Sequence, residues 1–277
     1  MKWSPGGRSP NLEDRRGSGV GMPLGIGGGI LVLILSLIFG PGILSEGEDG
    51  TTTNAAGEVG LSPADSAREE PMVQFVSFVL DDAQKTWASA FEQSRASFRP
   101  ANLVLFRDGT ASGCGTAQSA MGPFYCPLDE KVYLDLSFFD ELDRRFGAPG
   151  DFAQAYVIAH ELGHHIQHLQ GIDSRVRQLQ RSDPDAANPL SVRLELQADC
   201  YAGVWAHSAA ERGKLETGDI EEGLGAASAV GDDRIQRKMT GSVNVDSFTH
   251  GSAQQRSQWF RRGFESGSSN ACDTFGS

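Results

Sequence analysis

The chain contains no C-x-x-C pair and no basic surplus, and each lack removes a class of protein. Without C-x-x-C, a zinc site built from cysteines is excluded on spacing. The net charge is −12, and the first 44 residues set Lys2, Arg8, Arg15 and Arg16 against Glu13 and Asp14, which leaves −14 on the remainder. So acidic a body repels a phosphate backbone, whose attraction to Lys and Arg supplies most non-specific affinity, so no nucleic-acid partner is expected. Charged residues are missing altogether from Leu24 to Leu44, where Ile30 to Phe39 is almost wholly aliphatic. A run of that length can cross a bilayer, and the basic excess before it predicts a cytoplasmic N-terminus with everything after Leu44 outside. A cleaved signal peptide is the alternative, against which the length of the run counts. From 45 to 68 large apolar residues are nearly missing, so that stretch reads as a flexible tether.

Beyond the tether the pattern becomes that of a folded domain. Met72, Phe75, Val76, Val79, Leu80, Ala83, Trp87 and Phe91 recur at helical spacing, which predicts an amphipathic helix from Arg68 to about Gln93. Leu103 to Phe106 and Lys131 to Leu136 read as short strands separated by a glycine-containing loop. Helices are predicted from Phe138 to Arg145, from Asp151 to about Leu169 and from Ser191 to about Glu211, with a polar, proline-containing loop before the last. Asp219 could cap a further helix, and Ser252 with Gln255 forms a capping-box pattern before Trp259, Phe260 and Phe264. Four cysteines all fall on the expected outer side, where pairing is favoured. Three connectivities are possible; the short segment between Cys114 and Cys126 could close locally, which pairs 114 with 126 and 200 with 272.

The chemistry concentrates in two predicted helices. Residues 160–164 spell His-Glu-Leu-Gly-His, so His160 and His164 lie four apart on one helical face and both imidazoles can reach one cation. Chance alone yields this short motif in roughly one chain in a hundred of such composition. A second pattern, Glu195-Leu-Gln-Ala-Asp199, again sets two groups one turn apart. Two histidines and one carboxylate leave a zinc ion its open fourth position, so His160, His164 and Glu195 are the expected Zn2+ ligands. Asp199 then accepts from the far nitrogen of a ligand imidazole. Glu161 is placed to act as general base, and His250, in a Gly-flanked loop, is the candidate donor to a developing oxyanion, with Tyr201 in reserve. The longer H-E-x-x-H-x-x-G-x-x-H signature fails, because positions 167 and 170 are both glutamine. His165 and His168 read as surface or supporting histidines.

Taken with Ser119–Pro127, Val132–Asp135, Gly150–Ala153, Arg193–Cys200 and Phe248–Gly251, the motif resembles the putative neutral zinc metallopeptidase family of bacteria over about residues 70 to 277. That resemblance implies an α+β, zincin-like domain, mainly helical with a small sheet, following a membrane anchor. The chain is accordingly divided into a cytoplasmic segment (1–23), a transmembrane anchor (24–44), a flexible linker (45–69) and a zinc metallopeptidase domain (70–277). The expected localisation is single-pass membrane, with the catalytic domain periplasmic or extracellular. Peptide or protein is the expected substrate, and in zincin-like folds an edge strand beside the metal helix pairs with it, here Lys131 to Leu136. Two alternatives stand beside this reading: a non-proteolytic envelope binding or scaffold protein with the same fold, and a zinc hydrolase acting on a non-peptide amide or cell-wall substituent.

Overall fold

The computed structural model describes residues 1–17 and 63–276. Its strands are β1 (Leu12–Asp14), β2 (Asn102–Phe106), β3 (Gly109–Ser112), β4 (Gly115–Gln118), β5 (Phe124–Cys126) and β6 (Lys131–Asp135). Its helices are α1 (Pro63–Gln93), α2 (Ser137–Arg144), α3 (Asp151–Leu169), α4 (Ile172–Ser182), α5 (Ala187–Glu211), α6 (Asp219–Ala229), α7 (Asp232–Thr240) and α8 (Ala253–Ser266). This is a mainly helical α+β, zincin-like architecture with a small mixed sheet.

The sheet runs β1-β2-β6-β5, with β1, β2 and β6 parallel and β5 antiparallel to β6. Interior strand β2 is apolar without a break from Leu103 to Phe106 because both faces are covered there. Leu103 and Leu105 enter the large core shared with the helices, while Val104 and Phe106 pack with Ala117, Cys126 and Tyr133 on the other side. That second face is closed by the β3–β4 hairpin, and the Cys114–Cys126 disulfide staples the hairpin to β5. The other disulfide joins Cys200 of α5 to Cys272, so both expected pairings are present and no described cysteine is free.

Helix α1 buries Val73, Val76, Leu80, Ala83 and Trp87 at steps of three and four, the spacing that keeps one face against the core. It starts earlier than the sequence predicts, at Pro63, and runs through Pro71. Pro71 lies on the exposed face, where a missing amide bond is least costly. Helices α5 and α8 meet at glycines: a Cβ on Gly263 would lie 1.9 Å from the carbonyl oxygen of Cys200, and one on Gly203 would lie 2.1 Å from that of Phe260. Only hydrogen at both positions lets the two backbones approach so closely, and the contact carries the first turns of α8 toward the middle of α5.

The N-terminal segment corrects the expected membrane topology. Strand β1 pairs in parallel with β2, Leu12 opposite Leu103. Lys131 of β6 reaches Glu13 at 2.8 Å, buried Arg16 meets Glu69 of α1 at 2.6 Å, and Trp3 packs edge-on against Phe75. A single bilayer crossing between residues 24 and 44 would put 1–17 and 63–276 on opposite sides, whereas they share one sheet. Among the described residues no helix is long and apolar enough to cross a membrane, and the segment 24–44 to which the anchor was assigned lies outside them. The transmembrane helix, the membrane as partner and the single-pass localisation are therefore withdrawn. Their basis was a local apolar run, and a one-dimensional hydropathy reading does not see a strand pairing that brings the two flanks together.

Candidate metal centre

Helices α3 and α5 cross with Gly163 against Ala198, where a Cβ on the glycine would stand 3.0 Å from both the Cα and the carbonyl oxygen of Ala198. This close approach falls between the two histidines on one helix and between Glu195 and Asp199 on the other. It is the reason side chains from two helices can converge on one point.

They do converge. His160 Nε2 stands 3.2 Å from Glu195 Oε2, and His164 Nε2 stands 3.5 Å from Glu195 Oε1. The imidazoles lie at right angles with centroids 4.9 Å apart. One donor atom from each of His160, His164 and Glu195 lies within 4.8 Å of the others, so the predicted trio is a single cluster. Two imidazole nitrogens and a carboxylate form the donor set of a catalytic zinc site, and the residues present fit the ion. The electrostatics agree: burial pushes the Glu195 carboxyl up, but the charge on His164 and the bonds from both histidines hold it well below the usual carboxylate range. Burial likewise lowers His160, but Asp199 and Glu195 override it and raise the imidazole to about 9. Groups that share a proton this closely must release it before a metal can take its place, so binding there would be pH-dependent.

Glu161 faces the same space from the next position on α3. It is buried, its carboxyl is pushed up chiefly by desolvation, and its Oε2 meets no hydrogen-bond partner among the described residues. An orphaned carboxylate oxygen in a protein interior costs free energy and calls for a role.

Behind His160 lies a charged network. Its Nδ1 donates to Asp199 Oδ1 at 2.9 Å, and the same oxygen accepts from the Tyr156 hydroxyl at 2.5 Å. Arg256 of α8 grips Asp199 with two bonds, Nε to Oδ2 at 2.8 Å and Nη2 to Oδ1 at 2.9 Å. Burial pushes Asp199 up, yet Arg256 first and His160 next hold it down as a carboxylate. Asp199 thus occupies the place the sequence predicts. Tyr156 and Arg256 were not foreseen. The available signals were faint: Tyr156 lies one turn before His160, and Arg256 is a cation in the first turns of a helix, where the dipole disfavours it unless an anion faces it.

His250 sits in the loop before α8. Asp232 Oδ2 accepts the backbone amides of Thr249, His250 and Gly251 at 2.7, 2.7 and 3.0 Å, and Oδ1 accepts from His250 Nδ1 at 3.1 Å. Gly251, at φ +93°, rests against Val192 and Leu196, which flank Glu195 on α5, and His250 is among the groups that lower the Glu195 carboxyl. The loop is thereby placed beside the cluster. Tyr201 is not: it donates to Gln170 at 2.9 Å and packs edge-on against Trp87 in a separate apolar cluster. His165 is fully buried, donating to the Arg99 carbonyl at 2.7 Å and accepting from Tyr125 at 3.0 Å, while His168 pairs with Asp173 at 3.0 Å.

Comparison with known proteins supplies the family. The model of the family described as putative neutral zinc metallopeptidase matches residues 1–275, and the chain belongs to that family. The chain is similar to uncharacterized protein YpfJ of Escherichia coli K12, with 48% identity over 288 residues that cover 100% of this chain and 99% of that one. It is also similar to uncharacterized protein Mb2605 of Mycobacterium bovis and to uncharacterized protein Rv2575 of Mycobacterium tuberculosis, each 47% identical over 185 residues, covering 63% of this chain and 62% of the relative. No solved structure matches the chain.

Proposed function

We propose that the chain is a zinc-dependent peptidase in which His160, His164 and Glu195 hold the metal and Glu161 is the general base. The observation that carries the reading is the orphaned, buried carboxylate of Glu161 beside a convergent two-histidine, one-carboxylate cluster. A zinc ion bound there would lower the pKa of a coordinated water and polarise the scissile carbonyl. Glu161 accepts the proton of the attacking water and returns it to the leaving amine. His250, oriented by Asp232 through Nδ1, donates from Nε2 in its imidazolium form to the developing oxyanion.

The sheet offers an edge that supports docking of an extended peptide. The expected docking strand, Lys131 to Leu136, is interior: β6 lies between β2 and β5. Among the described residues the edge strand beside α3 is β5, whose Tyr125 bonds to His165, so substrate backbone pairs with Phe124–Cys126.

The test measures metal content and cleavage of denatured and native proteins by the purified chain, before and after chelation and zinc repletion. One zinc per chain with chelator-sensitive, zinc-restored cleavage supports the reading. Stoichiometric zinc without cleavage of any peptide bond favours the binding or scaffold alternative, and cleavage that survives removal of all metal refutes the mechanism.

A further inference from the structure

Position 167, where glutamine rules out the longer zinc signature, has an unassigned role. Gln167 is one turn beyond His164 on α3 and 1% exposed. A buried amide must satisfy both of its ends, and here each end has a partner. Nε2 donates to the Leu194 carbonyl at 2.7 Å and to Gln197 Oε1 at 3.1 Å. Both of those partners are acceptors, so the amide is turned with its oxygen toward His164, whose Nδ1 lies 2.8 Å away. An amide oxygen only accepts, so Nδ1 of His164 carries a hydrogen, and Nε2, which faces Glu195, is the nitrogen left to a metal. Leu194 directly precedes Glu195, so one side chain ties two of the three proposed ligands together across the helix crossing. The chain of bonds continues outward: Gln197 Nε2 donates to the carbonyl of Cys272 at 2.9 Å, and Cys272 is fixed to Cys200 of α5 by the disulfide.

We propose that Gln167 is the positioning residue of His164, setting its tautomer and ring orientation through Oε1, with Gln197 and the Cys200–Cys272 bridge as its outer support. The inference rests on the metal reading above. Its test is zinc affinity, measured on the full chain by competition with a chromophoric chelator. Long-range 1H–15N spectra of the zinc-loaded protein report which nitrogen of His164 is protonated, and thermal melts report the fold. Gln167→Leu removes both ends of the amide at similar size, whereas Gln167→Glu keeps the acceptor and removes only the donor. The leucine variant is expected to bind zinc about 10- to 100-fold more weakly and to lose the His164 Nδ1–H signal. The glutamate variant is expected to keep that signal and to bind within about threefold of wild type, or more tightly. Wild-type affinity in a folded Gln167→Leu overturns the proposal. A Gln167→Glu variant that loses the Nδ1–H signal and binds as weakly as leucine also overturns it, since the amide would then act only as a structural tie; this outcome decides the question even where leucine fails to fold. Wild-type protein that takes up no zinc overturns the metal reading and this inference together, whereas wild-type uptake with an unchanged leucine variant overturns this inference alone.

Discussion

Behind His160 stand Asp199, Arg256 and Tyr156, two of them charged and all sealed from solvent, whereas behind His164 stand two neutral amides, Gln167 and Gln197. The two imidazoles do the same proposed job, but their supports differ in origin. The charged support is assembled from three helices, α3, α5 and α8, and depends on the glycine contact that draws α8 onto α5. The amide support begins within α3 itself and reaches only to the neighbouring helix and the disulfide. A buried charge needs its partner in place, while a buried amide can lose one bond more cheaply, so the two sides should fail differently when cut.

The largest effect should come from the group both sides share. Glu195→Ala removes the carboxylate that faces both imidazoles, and the purified variant is expected to retain no zinc in metal analysis after dialysis. Next comes the charged side: Arg256→Leu leaves Asp199 buried without its cation, and denaturant unfolding should show a loss of about 3–5 kcal/mol. Removing the amide side with Gln167→Leu should cost about 1–3 kcal/mol in the same measurement. Equal losses would break the comparison. Asp199→Asn keeps an acceptor for His160 but removes the charge, and zinc competition should report an affinity about 10- to 100-fold weaker. The smallest effect belongs to Tyr156→Phe, whose single lost hydroxyl should cost about 1 kcal/mol of stability.

The same contrast explains what the sequence could reveal. His160, His164, Glu195 and Asp199 are pairs one helical turn apart, so local periodicity alone brings each pair onto one face, and the crossing of α3 with α5 joins them. Arg256 and Tyr156 meet across 100 residues, and no local pattern announces such a contact. The capping box of Ser252 and Gln255 was legible because it is closed within a single turn. Helices α4 and α7 were missed because their sequences, such as Asp232-Asp-Arg-Ile-Gln-Arg-Lys, hold few apolar residues among many charged and polar ones, even though Ile172, Val176 and Leu179 of α4 recur at helical spacing. Strand β1 is three residues long and exists only through its pairing with β2, which is also why the apolar run after it was assigned to a membrane anchor.

Glu161 is proposed to perform chemistry at a metal position it does not itself build. The direct measurement is zinc content and peptide turnover of Glu161→Gln beside wild type, in the same preparation and buffer. Full zinc stoichiometry is expected with turnover lower by about 10² to 10⁴, because the amide preserves the shape of the side chain and cannot accept the proton. Wild-type turnover by Glu161→Gln would contradict that role.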